Sequence, residues 1–146
     1  MNKLIYIALF FPAVSYADDK ACANVWSSIE TGLFQHLTEE LNIVPSSIDR
    51  DKTVVEVLDI SPVSRLFATQ IANEDHNADE ALNNGLTLSK SQYFSSYYEN
   101  KVKNVTAKYT YQNKKGIKNV FIASGLINAD ECSVRFNGYL TLSREF

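Results

Sequence analysis

Thiols and imidazoles are scarce in this 146-residue chain, which holds two cysteines and two histidines. Cys22 and Cys132 lie near opposite ends, and neither belongs to a CxxC pair or a Cys/His cluster, which excludes the common zinc frameworks and dithiol redox motifs. His36 stands near Glu39 and Glu40. A His-x-x-x-Glu spacing can set two ligands on one helical face, but a metal site needs further groups that the sequence does not supply. His76 lies in Glu74-Asp75-His76-Asn77-Ala78-Asp79-Glu80, a polar knot lacking the glycine and ligand periodicity of a calcium loop, and it reads as a solvated turn. No GxSxG, P-loop or dinucleotide fingerprint occurs, and serine is too common for a Ser/His/Asp trio assembled on paper to carry meaning. No internal repeat or low-complexity linker is visible. The expectation is a protein that is not an enzyme and holds no cofactor and no metal.

Long apolar runs are also lacking, with one exception at the start. In MNKLIYIALFFPAVSYADDK, Lys3 is a positive n-region, Leu4 to Val14 an apolar stretch, and Ser15-Tyr16-Ala17 a small-x-small site, so residues 1–17 read as a cleavable signal peptide. The apolar stretch is far shorter than the roughly twenty residues of a membrane-spanning helix, and no later segment approaches that length, so no stable membrane insertion is expected. A lipoprotein signal would place a cysteine directly after the cleavage site. Cys22 instead follows Asp18-Asp19-Lys20-Ala21. The expected location is the periplasm, with secretion as the alternative. Residues 18–146 suit a single globular domain. In an oxidising compartment Cys22 and Cys132 should pair, and closing so long a loop removes about 4.7 kcal/mol of unfolded-chain entropy on the chain-entropy account.

Periodicity then gives the elements. Cys22, Trp26, Ile29, Leu33, Leu37 and Leu41 recur every three or four positions, predicting one long helix from Asp19 to Leu41 that Pro45 ends. Lys52 to Ile60 is short and β-branched, a strand. Ser61-Pro62 reads as an N-cap and first helical residue, and Val63, Leu66, Phe67, Ile71, Ala78 and Leu82 continue a helical stripe that Asn84-Gly85 ends, with the polar knot leaving open a division into two. SQYFSSYYENKV spaces Tyr93, Phe94, Tyr97 and Tyr98 as a short aromatic-faced helix.

The last third alternates as three antiparallel strands, with turns at Asn113-Lys114-Lys115-Gly116 and Asn128-Ala129-Asp130. Pairing Gln112 with Ile117 and Ile127 with Glu131 puts Tyr109, Val120, Ile122, Phe136 and Cys132 on one face. A helix packed on that face would bring Cys22 to Cys132. The predicted fold is α+β: a long N-terminal helix on an antiparallel sheet of three to four strands with additional short helices, the arrangement of cystatin-like and nuclear-transport-factor-2-like folds.

Charge is divided along the chain. Residues 18–99 hold five Lys/Arg against fourteen Asp/Glu, a net −9, whereas residues 100–146 hold eight against three, a net +5. Lys101, Lys103, Lys108, Lys114, Lys115 and Lys118 fall on or around the first hairpin, interleaved with Tyr109 and Tyr111. In an exported acidic protein this pattern points away from nucleic acid. It suits either an edge strand guarded by lysines or a surface that steers other envelope proteins. Tyr93, Tyr97, Tyr98, Lys108, Lys114, Lys115 and Lys118 are the candidate partner-binding residues, with half of the aromatic cluster expected to complete the core.

Small size, an unlipidated export signal and an Asn/Lys/Tyr/Ser-rich composition make the chain resemble accessory subunits of type IVb, bundle-forming-type pilus assembly machines. A cysteine before the first helix (KACANVW) and another at the closing strands (ADECSV) is similar to the cystatin-like YebF and colicin M immunity group. The first resemblance implies an accessory or adaptor protein acting by protein–protein binding in pilus or secretion-machine assembly. The second implies an inhibitor, an immunity protein or a binder of a small ligand held between helix and sheet.

Overall fold

The computed structural model describes residues 18–82, 85 and 87–146. The signal-peptide reading of residues 1–17, and Asn84 of the Asn84-Gly85 stop, lie outside them. The fold is α+β, with helices packed against one four-stranded antiparallel sheet. Three helices, α1 (Ser28–Glu39), α2 (Arg65–Leu82) and α3 (Lys90–Tyr98), accompany strands β1 (Val54–Pro62), β2 (Lys103–Gln112), β3 (Lys118–Ile127) and β4 (Arg135–Ser143). The strands lie side by side in chain order, which leaves β1 and β4 as edges.

The first helix is not continuous from Asp19. A 3₁₀ turn at Asp19–Ala23 is separated from α1 by a reversal in which Trp26 takes a positive φ of 70°. Ser27-Ser28-Ile29-Glu30 explains the break, because Ser-x-x-Glu marks a helix start. Here the Glu30 carboxylate accepts the Trp26 backbone N–H at 2.9 Å, and Ser27 Oγ donates to the Cys22 and Asn24 carbonyls. Trp26, expected on the buried stripe, is therefore swung outward and is 61% exposed.

α1 lays Ile29, Leu33 and Leu37 on the inner sheet face against Val105, Ala107, Tyr109, Tyr111, Phe121 and Ala123. Burying each large side chain contributes roughly 1.5–3 kcal/mol. Gly32 has a packing reason: a Cβ there would stand 2.9 Å from the Phe136 ring. These side chains fill the centre of the helix–sheet interface, and a small pocket of about 130 Å³ remains at its edge, lined by Ser28, Ile29, Cys132, Ser133, Arg135 and Phe136.

The register differs from the sequence-based pairing by one residue. Gln112 faces Lys118 and Tyr109 faces Phe121, so Asn119, Phe121 and Ala123 point inward while Val120 and Ile122 point outward. β4 begins at Arg135 instead of Glu131, and Phe136 pairs with Gly125. Asn137 is an extra residue between the pairs Gly125–Phe136 and Ser124–Gly138, and Gly138 takes the φ of +113° that this bulge requires. The bulge inverts the alternation. Tyr139 joins the core, and Leu140 and Leu142 are exposed.

Ser61 and Pro62 are also reassigned: both end β1, an edge where a missing N–H is tolerated, and Ser64 Oγ caps α2 by accepting the Phe67 N–H. The polar knot does not divide α2. The disulfide is present as expected, joining Cys22 to Cys132 with Cα atoms 5.2 Å apart. Cys132 lies in the loop before β4, and Ser28 Oγ donates to its carbonyl. Among the described residues no helix is long and apolar enough to cross a membrane.

Candidate functional site

α3 starts with a closed capping box, in which Ser89 accepts the Gln92 N–H and Gln92 accepts the Ser89 N–H. Its aromatic spacing then creates two faces one turn deep. Tyr93 and Tyr97 point inward and are buried with Val63, Ala68, Ile71, Ala72, Val102 and Leu126. Their hydroxyls donate to Asp79 and Asp75, the latter at 2.7 Å. The polar knot is thus not a turn but a stretch of α2, with Asp75, His76 and Asp79 turned toward α3 and the sheet while Glu74, Asn77 and Glu80 stay exposed.

Arg135 closes this network, donating through Nε and Nη2 to both Asp75 oxygens at 2.7 and 2.8 Å. Its Nη1 reaches Asn137, whose amide continues to Asn104, each at 2.8 Å. The Arg135 hydrogen bonds, helped by the Tyr97 hydroxyl, hold the Asp75 carboxyl below its ordinary range against the opposing effect of burial. Burial, followed by the hydrogen bond to Asp75, pushes the Tyr97 phenol upward, so it stays a proton donor. His76 stacks edge-on to Tyr93. Its Nδ1 is buried with no hydrogen bond among the described residues, Glu80 being 3.5 Å away.

The other face of α3 runs along the rim of this cluster, with Phe94 partly buried against it and Tyr98 exposed. Phe94 and Tyr98 stack at 5.1 Å, and the Arg65 guanidinium lies 5.2 and 5.9 Å from their ring centres. A groove of about 300 Å³ runs between α2 and α3, lined by Arg65, Thr69, Asn73, Lys90, Ser91 and Phe94. Tyr98, 38% exposed, is the one tyrosine of the predicted set that reaches the surface.

The predicted lysines scatter. Lys108 pairs with Glu56 across the β1–β2 ladder and Lys103 with Asp19, whereas Lys114 and Lys115 occupy the β2–β3 turn and Lys118 opens β3, all three exposed. They do not guard an edge strand, because β2 and β3 are the two interior strands. Tyr109 and Tyr111 between them are fully buried, donating at 2.9 Å to the Ala23 carbonyl and to Glu30. No aromatic platform accompanies this basic turn.

Two further features escape sequence reading. Glu30 is fully buried yet satisfied: Arg50 grips it in bidentate fashion while lying between the rings of Trp26 and Phe34, at 3.8 and 4.2 Å from their centres. This knot is structural, tying the segment before β1 to α1. The second is the outer sheet face. Beyond the end covered by α2 and α3 it carries Val120, Ile122, Leu140, Leu142 and Val54 with little cover. His36 bonds Glu40 at 2.7 Å, one turn along α1, and stacks on Phe136. Among the described residues no three His, Cys, Asp or Glu side chains gather as a metal site.

A scan against protein-family models and searches of curated proteins and of solved structures return no match to this chain.

Proposed function

We propose that this chain is a non-enzymatic periplasmic accessory or adaptor protein that binds another envelope protein during pilus or secretion-machine assembly. The observation that carries the reading is the contrast between the two sheet edges. β1 bears Glu56, Asp59, Pro62 and a bulge at Leu58, the usual protections against strand addition. β4 bears no charge from Phe136 to Ser143, and its Leu140 and Leu142 are 59% and 51% exposed beside Val120 and Ile122. β4 is bulged as well, at Asn137 and Leu142, but an apolar face next to an edge free of charge and proline suits a partner that lays an apolar segment there. Exposed Lys114, Lys115 and Lys118 would steer an acidic partner toward the turn between β2 and β3. The disulfide fits an oxidising compartment.

Photo-crosslinking in cells tests this. A crosslinker at position 140 should yield one discrete adduct with an envelope protein, lost on Leu142→Asp, while one at exposed Asn77 on α2 yields none. Equal adducts from both positions, or an adduct indifferent to Leu142→Asp, would sink the reading.

A further inference from the structure

We infer that the groove between α2 and α3 binds a small organic anion, a carboxylate or phosphate monoester carried on a ring-sized apolar body. This does not rest on the adaptor reading, since none of the residues that reading invokes lines the groove. Its lining includes two cations from the acidic stretch of the chain: Arg65 on α2 and Lys90 at the first position of α3. Neither makes an ion pair among the described residues, although other cations of the same stretch, Arg50 and Lys52, do.

Arg65 is held over Phe94 and Tyr98 by a contact that uses its charge and leaves its N–H donors without a hydrogen-bond acceptor among the described residues. Guanidinium donors match the two oxygens of a carboxylate or phosphate, and an ammonium adds a second positive point. Lys90 and Ser91 stand in the first turn of α3, where the helix end also favours negative charge.

The apolar part follows from what remains of the lining. Phe94 and Ala72 supply hydrophobic wall, while Thr69, Asn73 and Ser91 offer hydroxyl and amide groups. At about 300 Å³ the groove sits at the lower end of small-molecule sites, enough for one ring and its headgroup. Tyr98 stacked on Phe94 extends that wall at the Arg65 end.

The test is an NMR titration of the ¹⁵N-labelled chain with benzoate, phenyl phosphate, inorganic phosphate and benzyl alcohol. Benzoate or phenyl phosphate should saturably shift amides within 65–73 and 90–94, the tighter of the two identifying the preferred headgroup. Benzyl alcohol, lacking the charge, and inorganic phosphate, lacking the ring, should each bind about tenfold more weakly or worse. Arg65→Met and Lys90→Met should each cost about tenfold in affinity, with Lys114→Met as an unaffected control. Should Arg65→Met disturb the hairpin itself, visible as displaced Tyr97 and Asp75 amides, Lys90→Met carries the test. Benzyl alcohol binding as well as benzoate, inorganic phosphate as well as phenyl phosphate, equal shifts at 114–118, or no saturable shift at millimolar ligand would each overturn the proposal.

Discussion

The two halves of this molecule are held together by different physics. Around α1 the chain is clasped: a disulfide joins its first turn to the loop before β4, Leu33, Leu37, Tyr109, Tyr111 and Phe121 have no exposed surface, and the buried Glu30 has every partner it needs. The α2–α3 hairpin is docked instead. Its apolar cluster is smaller and less completely closed, with Val63, Tyr93 and Tyr97 each keeping some exposed surface, and its link to the sheet runs through the partly exposed Asp75–Arg135 pair. Local opening follows local burial, so the clasped half should open only with global unfolding and the hairpin more readily. Both an exposed groove and a movable wall belong to the second half.

The comparison can be broken most severely at the disulfide. Replacing Cys22 and Cys132 together by serine should lower unfolding free energy by about 4.7 kcal/mol on the loop-closure account, read as a lower denaturant midpoint of the whole domain. A change under about 1 kcal/mol would show that the clasp is not what secures this half. Next in size is Arg50→Ala, which strands the Glu30 carboxylate in the core. It should cost about 3–5 kcal/mol, again globally; a loss no larger than that of a surface substitution would remove the knot from the account.

The smallest effect should be local. Arg135→Ala leaves Asp75 and Asn137 short of a partner and should cost about 1–3 kcal/mol, seen as faster amide exchange in α2 and α3 with β2 and β3 still protected. Acid should do the same without mutation. Because the Asp75 carboxyl titrates below its ordinary value in the fold, its stabilisation is present above about pH 4 and is lost as pH falls through that lowered value. The hairpin should therefore loosen before the sheet, and Asp75→Asn should abolish that acid step. Uniform acceleration across both halves would refute the distinction between them.

Several of these elements were legible in sequence because they depend on neighbours. Apolar spacing marked Ile29, Leu33 and Leu37 as one face and split the aromatics of α3 correctly into positions one turn apart. The Ser27-x-x-Glu30 start was also written locally, and the longer apolar stripe from Cys22 to Leu41 masked it. The register was missed for a different reason. Hydrophobic alternation fixes a strand's face only while its period stays two, and the bulge at Asn137-Gly138 shifts that period inside β4. In β3 both faces are apolar, so a slip of one residue looked equally good on paper. The groove cations Arg65 and Lys90 stood out to no motif, being 25 positions apart in an acidic stretch.

Read alone, the chain yields the α+β class, the pairing of its two cysteines and the presence of three helices, though not where the first two begin, since these follow from composition and from spacings of three, four and two residues. What only the tertiary structure decided is which polar groups meet: Asp75 with Arg135, Glu30 with Arg50 and Tyr111, Arg65 and Lys90 with one groove. Periodicity constrains which face a residue takes, but the partner of a charge is chosen by how two faces are brought together, and that depends on register and packing across the whole chain.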